Sequence, residues 1–161
     1  MKKTWLISFV TLVIGFIIGV ALTVIFYPFL FPPPQVNEQI VNMASKMIVA
    51  KGSFIGFDRV HYGKGNVTIY KDGSKYEVFL NKNFEVGPGP AFHIYLSESA
   101  NITTKRAFQT AKNYDLGMLK SFSGSQVYQV PSDIDFSKIK SVVVWCVSFR
   151  QLISSANLKQ Q

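Results

Sequence analysis

Cysteine, histidine and acidic residues are scarce in this chain. Cys146 is its one cysteine, His61 and His93 are its two histidines, and 9 acidic residues stand against 17 basic ones in 161 residues. A single cysteine excludes an internal disulfide, a CxxC redox pair and a CxxCH haem-attachment site. The sparse carboxylates form no recognisable catalytic pair. Asp58, Asp115, Asp133 and Asp135 stand in or beside turns, where Asp is favoured for local hydrogen bonding. No glycine-rich phosphate loop precedes a helix, and neither Ser97 nor Ser148 has the sequence context of a nucleophile. No independent enzyme activity, metal site or identifiable cofactor is therefore legible. The Asn66-Val67-Thr68 and Asn101-Ile102-Thr103 sequons read as chance matches.

The net charge of +8 is dispersed over lysines such as Lys64, Lys75, Lys105, Lys120 and Lys140. A nucleic-acid binder concentrates such charge on a helix or a stripe. Nucleic acid is not an expected partner, whereas a solvated basic surface with weak attraction to anionic lipid headgroups is.

What the sequence does have is one long apolar run. Trp5 to Tyr27 reads WLISFVTLVIGFIIGVALTVIFY, without charge or proline. At about 1.5 Å per residue it exceeds the roughly 30 Å hydrocarbon core. It is longer than the apolar region of a secretory signal, and a small-x-small cleavage site does not fit well here. The expectation is an uncleaved anchor that meets the lipid bilayer through residues 5–27. Lys2 and Lys3 precede the run and no basic residue follows it until Lys46. The positive-inside rule then places the N-terminus in the cytoplasm and the C-terminal domain in the periplasm or outside the cell. Gly15 and Gly19 form a GxxxG pair that would allow a homodimer through this helix.

Residues 1–27 are thus read as cytoplasmic N-terminus and anchor, 28–50 as a proline-rich linker and short amphipathic stalk helix, and 51–161 as the folded domain. The stalk rests on the helical spacing of Val36, Ile40, Met43, Met47 and Ile48. From Gly52 onward the pattern is strands and turns. Val67 to Tyr70, a turn at Asp72-Gly73, and Tyr76 to Leu80 make a hairpin. Phe92 to Leu96 is a strand with Phe92, Ile94 and Leu96 toward the core and His93 and Tyr95 opposite. Leu116 to Phe122 and Gln126 to Val130 read as a strand pair, and Asn101 to Tyr114 as a polar, partly helical excursion. Ser141 to Phe149 is the most strand-like run, and Leu152 to Leu158 is the last strand. The fold class is all-β, a small sandwich or barrel-like domain after one transmembrane helix.

Cys146 carries the chemistry that the sequence allows. In SVVVWCVSF it shares a face with Val142, Val144 and Ser148, and the Val143, Trp145, Val147, Phe149 face is the more apolar and the expected core. The residue is either a buried, inert hydrophobe or a redox-active thiol, and no neighbour in sequence depresses its pKa. His61, His93, Cys146 and Met118 match a blue-copper ligand set in type but not in spacing, because no His or Met follows the cysteine in Val147 to Leu152. Candidates for holding a cofactor are His93 and Tyr95 on the polar face of their strand, and Trp145 beside the cysteine.

The stretches GSFIGFDRVHYGKGNVTIY, NFEVGPGPAFHIYLSES, YDLGMLKSFSGSQVYQVPSDID and SVVVWCVSFRQLISSANL occur in this order between about Lys51 and Leu158. Together they resemble the DM-thirteen domain family of electron-transfer domains. The resemblance is carried by Gly52-Ser53-Phe54, the Gly87-Pro88 step before His93-Ile94-Tyr95-Leu96, Leu116 through Lys120, Tyr128 through Pro131, and Val144-Trp145-Cys146. It implies an extracytoplasmic β-rich domain with one characteristic cysteine proposed for redox chemistry. Many members carry an acidic residue just after the Gly-Pro step, where this chain has Gly89-Pro90-Ala91. The implied function is a membrane-tethered redox or electron-transfer accessory role of Cys146, with an envelope redox protein as partner. The alternative is a non-catalytic interaction module of the cell envelope.

Overall fold

β-Branched and aromatic residues set the strands, and the apolar run sets one helix. In the computed structural model, which describes residues 2–58 and 61–161, that run forms α1 (Lys2–Leu30). It is long and apolar enough to cross a membrane. The remaining elements follow in chain order as β1 (Val36–Asn37), β2 (Met47–Ile55), β3 (Gly63–Lys64), β4 (Asn66–Asp72), β5 (Lys75–Leu80), β6 (Glu85–Val86), β7 (Phe92–Ser97), α2 (Lys105–Thr110), β8 (Asn113–Met118), β9 (Gly124–Val130), β10 (Ser141–Cys146), β11 (Gln151–Asn157) and β12 (Lys159–Gln160). One sheet runs β1-β9-β5-β4-β2-β11-β10-β7-β8, with β12 also on β2, while β3 and β6 form a short ribbon.

The sheet curls on itself. Val67 and Ile69 of β4, Val78 and Leu80 of β5 and Tyr128 of β9 pack in one core with Ile94 and Leu96 of β7 and Val142, Val144 and Cys146 of β10. Strands from distant parts of the sheet therefore share one interior, which is the half-barrel form of the expected all-β, barrel-like class. A smaller cluster lies on the outer face, where Ile102 and Phe108 cover Val143, Trp145 and Leu152. α2 holds this lid in place, and its first turn is capped by the Thr104 hydroxyl, which accepts from the Ala107 amide at 3.1 Å.

Three local expectations are corrected. No stalk helix forms between residues 36 and 48. Val36–Asn37 pairs in parallel with Gly124 and Ser125, Met43–Ser45 is a single 3-10 turn, and Met47 already begins β2. A helix this short is marginal in isolation, and the free edge of β9 offers backbone partners that it cannot match. Glu38 reinforces the edge: its carboxylate accepts from the Val127 amide at 2.7 Å and from Lys120 Nζ at 2.8 Å. The second correction concerns the segments flanking Ser123-Gly124-Ser125, which do not pair with each other. β8 pairs with β7, and β9 with β5. Third, Asp72 pairs with Lys75, so the hairpin turn is Gly73-Ser74. Gly73 has φ of 58° and Ser74 is not left-handed, the pattern of a type II′ turn.

Both faces of β10 are buried, but in the reverse order of importance to that expected. Val142, Val144 and Cys146 enter the main core. Val143 and Trp145 lie under α2. Val147 and Phe149 lie beyond the strand end and are exposed. The packing of α2 on the outer face draws on residues far away in sequence, so the strand's own pattern does not report it.

Candidate functional site

β10 ends at Cys146, and its neighbours fix the thiol. Cys146 faces Phe92 on β7 and Gln151 on β11 in the strand register. The residue is buried, and Sγ donates to the Pro90 carbonyl at 3.2 Å. Pro90 belongs to the Gly87-Pro88-Gly89-Pro90-Ala91 loop, which is pinned in a left-handed turn at Ala91 (φ 50°). The Val147 amide donates to the Ala91 carbonyl at 3.0 Å and locks this loop to the end of β10. Gly89 is required here by space: a Cβ would stand 2.4 Å from the ring of Phe92. The sequence folds into this corner because proline and glycine supply a rigid loop with no bulk beside an aromatic ring.

Burial pushes the Cys146 thiol upward in pKa, and the amides of Phe149 and Ser148 in the following turn partly oppose this. The thiol is thus held as SH at neutral pH, with two turn amides placed to support a thiolate if one forms. Its surroundings are not closed packing. A cavity of about 330 Å³ opens beside it, lined by Pro88, Pro90, Phe92, Cys146 and Phe149 on the domain side. Ile25 and Phe29 from the last turns of α1 complete the wall. Two polar side chains reach it, His61 and Gln151. His61 is oriented by Asp58, whose carboxylate meets Nδ1 at 2.7 Å and accepts from the His61 amide at 2.6 Å.

The other predicted site residues assemble elsewhere. His93, Tyr95 and Trp145 do gather, but on the outer face of the sheet, away from Sγ. Trp145 stacks on Phe108 with ring centroids 4.3 Å apart. Phe108 meets Tyr95 edge-on at 5.2 Å, and Tyr95 lies 6.3 Å from His93. His93 Nδ1 contacts the Asp115 carboxylate at 2.9 and 3.1 Å. Burial and a hydrogen bond to Asp115 raise the Tyr95 phenol to about 12. His93 and Cys146 stand on opposite faces of the sheet, so the blue-copper ligand types do not converge. No three His, Cys, Asp or Glu side chains gather among the described residues.

Sequence reading had no signal for Phe108, which closes the Trp145 pocket from a helix thirty-odd positions upstream. Asp115 does make the local hydrogen bond expected of it, accepting from the Gly117 amide at 2.8 Å, and from its edge strand the same carboxylate also reaches His93 on the facing strand, a contact with no local signal. Gln151 and Phe149 were hidden in the same way, because the tight turn between β10 and β11 folds them back over the cysteine.

A curled β domain with one buried cysteine at the wall of an apolar cavity is the class of protein that this architecture defines. The family model described as Electron transfer DM13 matches residues 56–158, and the chain belongs to that family. The matched segment runs from the end of β2 to the residue after β11 and contains both the cysteine corner and the aromatic cluster. No curated protein and no solved structure matches the chain.

Proposed function

We propose that the chain is a membrane-tethered redox module whose working group is Cys146, with the domain held on the extracytoplasmic side. The family supports a redox-related role. The single observation that carries the residue assignment is the buried sulfur's position at the end of the core, where Cys146 also lines a cavity. α1 supports tethering by its length and apolar character, and Lys2 and Lys3 support the cytoplasmic side for its N-terminus. Gly15 and Gly19 have open space in front of each, which is compatible with a homodimer through the helix.

A lone thiol is a poor one-electron carrier, so the reading includes a disulfide-bearing envelope protein as partner. The Cys146 thiolate attacks one partner sulfur, a mixed disulfide forms, and the second partner sulfur leaves as thiolate and takes a proton. The Ser148 and Phe149 amides support the attacking thiolate. Intact mass of the native chain, with and without reductant, tests this: a reducible adduct on Cys146 is expected. A thiol that stays unmodified in the cell and in an oxidising glutathione buffer ends the reading.

One observation favours the alternative, a non-catalytic interaction module of the envelope. The thiol is buried and its pKa is raised, opposite to the usual reactive cysteine. A Cys146→Ala chain that retains full function in cells decides for that alternative.

A further inference from the structure

The cavity beside Cys146 is built from two parts that rarely meet in a soluble pocket: a folded β domain and the end of a membrane-length helix. α1 has 29 residues, or about 43 Å at the helical rise, against a hydrocarbon core of about 30 Å. Its last turns therefore emerge at the membrane surface when the helix spans. Those turns carry Ile25 and Phe29, which wall the cavity, and Pro28, which is buried. The cavity thus sits at the bilayer boundary, and a ligand can reach it from the lipid side.

We propose that this cavity binds the head group of a membrane-soluble quinol or quinone. This deepens the redox reading of the same site and rests on it for its purpose, though not for the binding itself. Size is the first argument: about 330 Å³ is at the small end of ligand cavities, right for one substituted six-membered ring and too small for a haem. Shape is the second. Phe92 and Phe149, with the rings of Pro88 and Pro90, supply flat apolar walls. Polarity is the third. With Nδ1 committed to Asp58, the other ring nitrogen of His61 is the one left for a ligand. A neutral imidazole whose Nδ1 donates to a carboxylate accepts at Nε2, which suits a quinol hydroxyl. The Gln151 amide can donate to a quinone carbonyl or accept from a hydroxyl. A saturated lipid chain would offer no hydrogen-bonding group to either the second ring nitrogen of His61 or the Gln151 amide.

The test uses the full chain in lipid nanodiscs and a decyl-tailed benzoquinone as probe. Cys146→Ala is the background, so that thiol addition to the ring cannot imitate binding. Saturable binding is expected, with a photoreactive azido form of the probe attaching to peptides holding residues 25–29, 88–92 or 149–153. His61→Phe and Gln151→Leu should each weaken binding about ten-fold, and decanol should not compete. Lack of saturation, labelling spread along α1, unchanged affinity in both variants, or equal competition by decanol would overturn the proposal. Failure of the redox reading looks different: a Cys146 that never forms an adduct while the quinone still binds the Cys146→Ala chain. A thiol that exchanges with disulfides in a chain that takes no quinone sinks this inference alone.

Discussion

Trp145 and Cys146 are neighbours in β10 but belong to different halves of the domain. The indole stacks on Phe108 at 4.3 Å on the outer face, while Sγ donates to Pro90 at 3.2 Å on the inner one. The strand alternation that separates them divides the molecule into two polar-tipped clusters. One combines a thiol, an apolar cavity and the His61–Asp58 pair. The other is an aromatic ladder from Trp145 to Tyr95 that ends at His93 and Asp115. The two can be perturbed separately, because the β10 backbone lies between them.

The outer cluster predicts an alkaline titration. Tyr95 holds its proton to about 12, against an ordinary 10.0, through burial and Asp115. Absorbance near 295 nm should show a late-ionising tyrosine that Tyr95→Phe removes. Asp115→Asn should bring it down, but not to 10, since burial remains. The folded-state value is the higher one, so the associated stability is intact below about pH 10 and is lost as pH rises toward 12. A Tyr95 that ionises with the exposed tyrosines would refute the half-buried, hydrogen-bonded placement.

Glu38 makes the second prediction. Burial raises its carboxyl, but hydrogen bonds from Lys120 and Val127 outweigh burial and leave it below the ordinary 4.5. A depressed carboxylate stabilises the fold above its unfolded value and loses that contribution as pH falls through the folded one. Glu38→Gln should cost about 1 kcal/mol at pH 7, a modest figure because the pair is partly solvated. The difference from wild type should close below pH 4.5. The same contacts predict that a fragment starting at Gln35 melts higher than one starting at Lys51, which lacks β1 and the first half of β2. Equal melting of the two fragments would show that β1 contributes nothing.

The elements legible in the sequence were those whose partners lie nearby or whose period is unbroken. The β4–β5 hairpin, the Phe92–Leu96 alternation and the Ser141–Cys146 run follow from local pattern and β-propensity. Residues 36–48 misled because helical spacing of Val36, Ile40 and Met43 is also what a loop with one buried side chain can show. Ile40 is buried, whereas Val41, Met43 and Met47 are exposed. Strand order was illegible for a different reason. β8 and β9 are adjacent in sequence yet join opposite regions of the sheet, and alternation does not encode the neighbour. The cysteine was found by its rarity. The cavity was not, because Ile25 and His61 reach it from segments with no local signal.

Gly73 tests the hairpin. Its φ of 58° lies in the left-handed region, and a Cβ there would meet nothing within 4 Å. Replacement by valine therefore strains the backbone without a clash. Gly73→Val should cost about 1–2 kcal/mol, while Gly73→Asn, which tolerates that φ, should cost less. A melting temperature unchanged by valine would mean that the turn relaxes at no cost and does not set the β4–β5 register.

Cys146 supplies the last prediction. A raised thiol pKa and a buried sulfur lower the thiolate fraction, but the cavity leaves a path to it. Maleimide should label the native full chain slowly and the unfolded chain at the rate of a free peptide thiol. The native rate should still climb at a pH where the unfolded rate has levelled, because the folded-state value is the higher. Stability has the same sign: the buried thiol's contribution is complete below its unfolded value and falls as pH rises through the folded one. Cys146→Ser should lose about 1–2 kcal/mol, since its hydroxyl meets one carbonyl in an otherwise apolar wall. Cys146→Ala should lose somewhat less and leave the Tyr95 titration untouched. Phe149→Ala, by removing part of the cavity's exposed rim, should speed native labelling several-fold without changing the melting temperature by more than a few degrees. Native labelling as fast as in the unfolded chain would contradict the buried sulfur. A Phe149→Ala rate equal to wild type would show that reagents reach the thiol by global opening and not through the cavity.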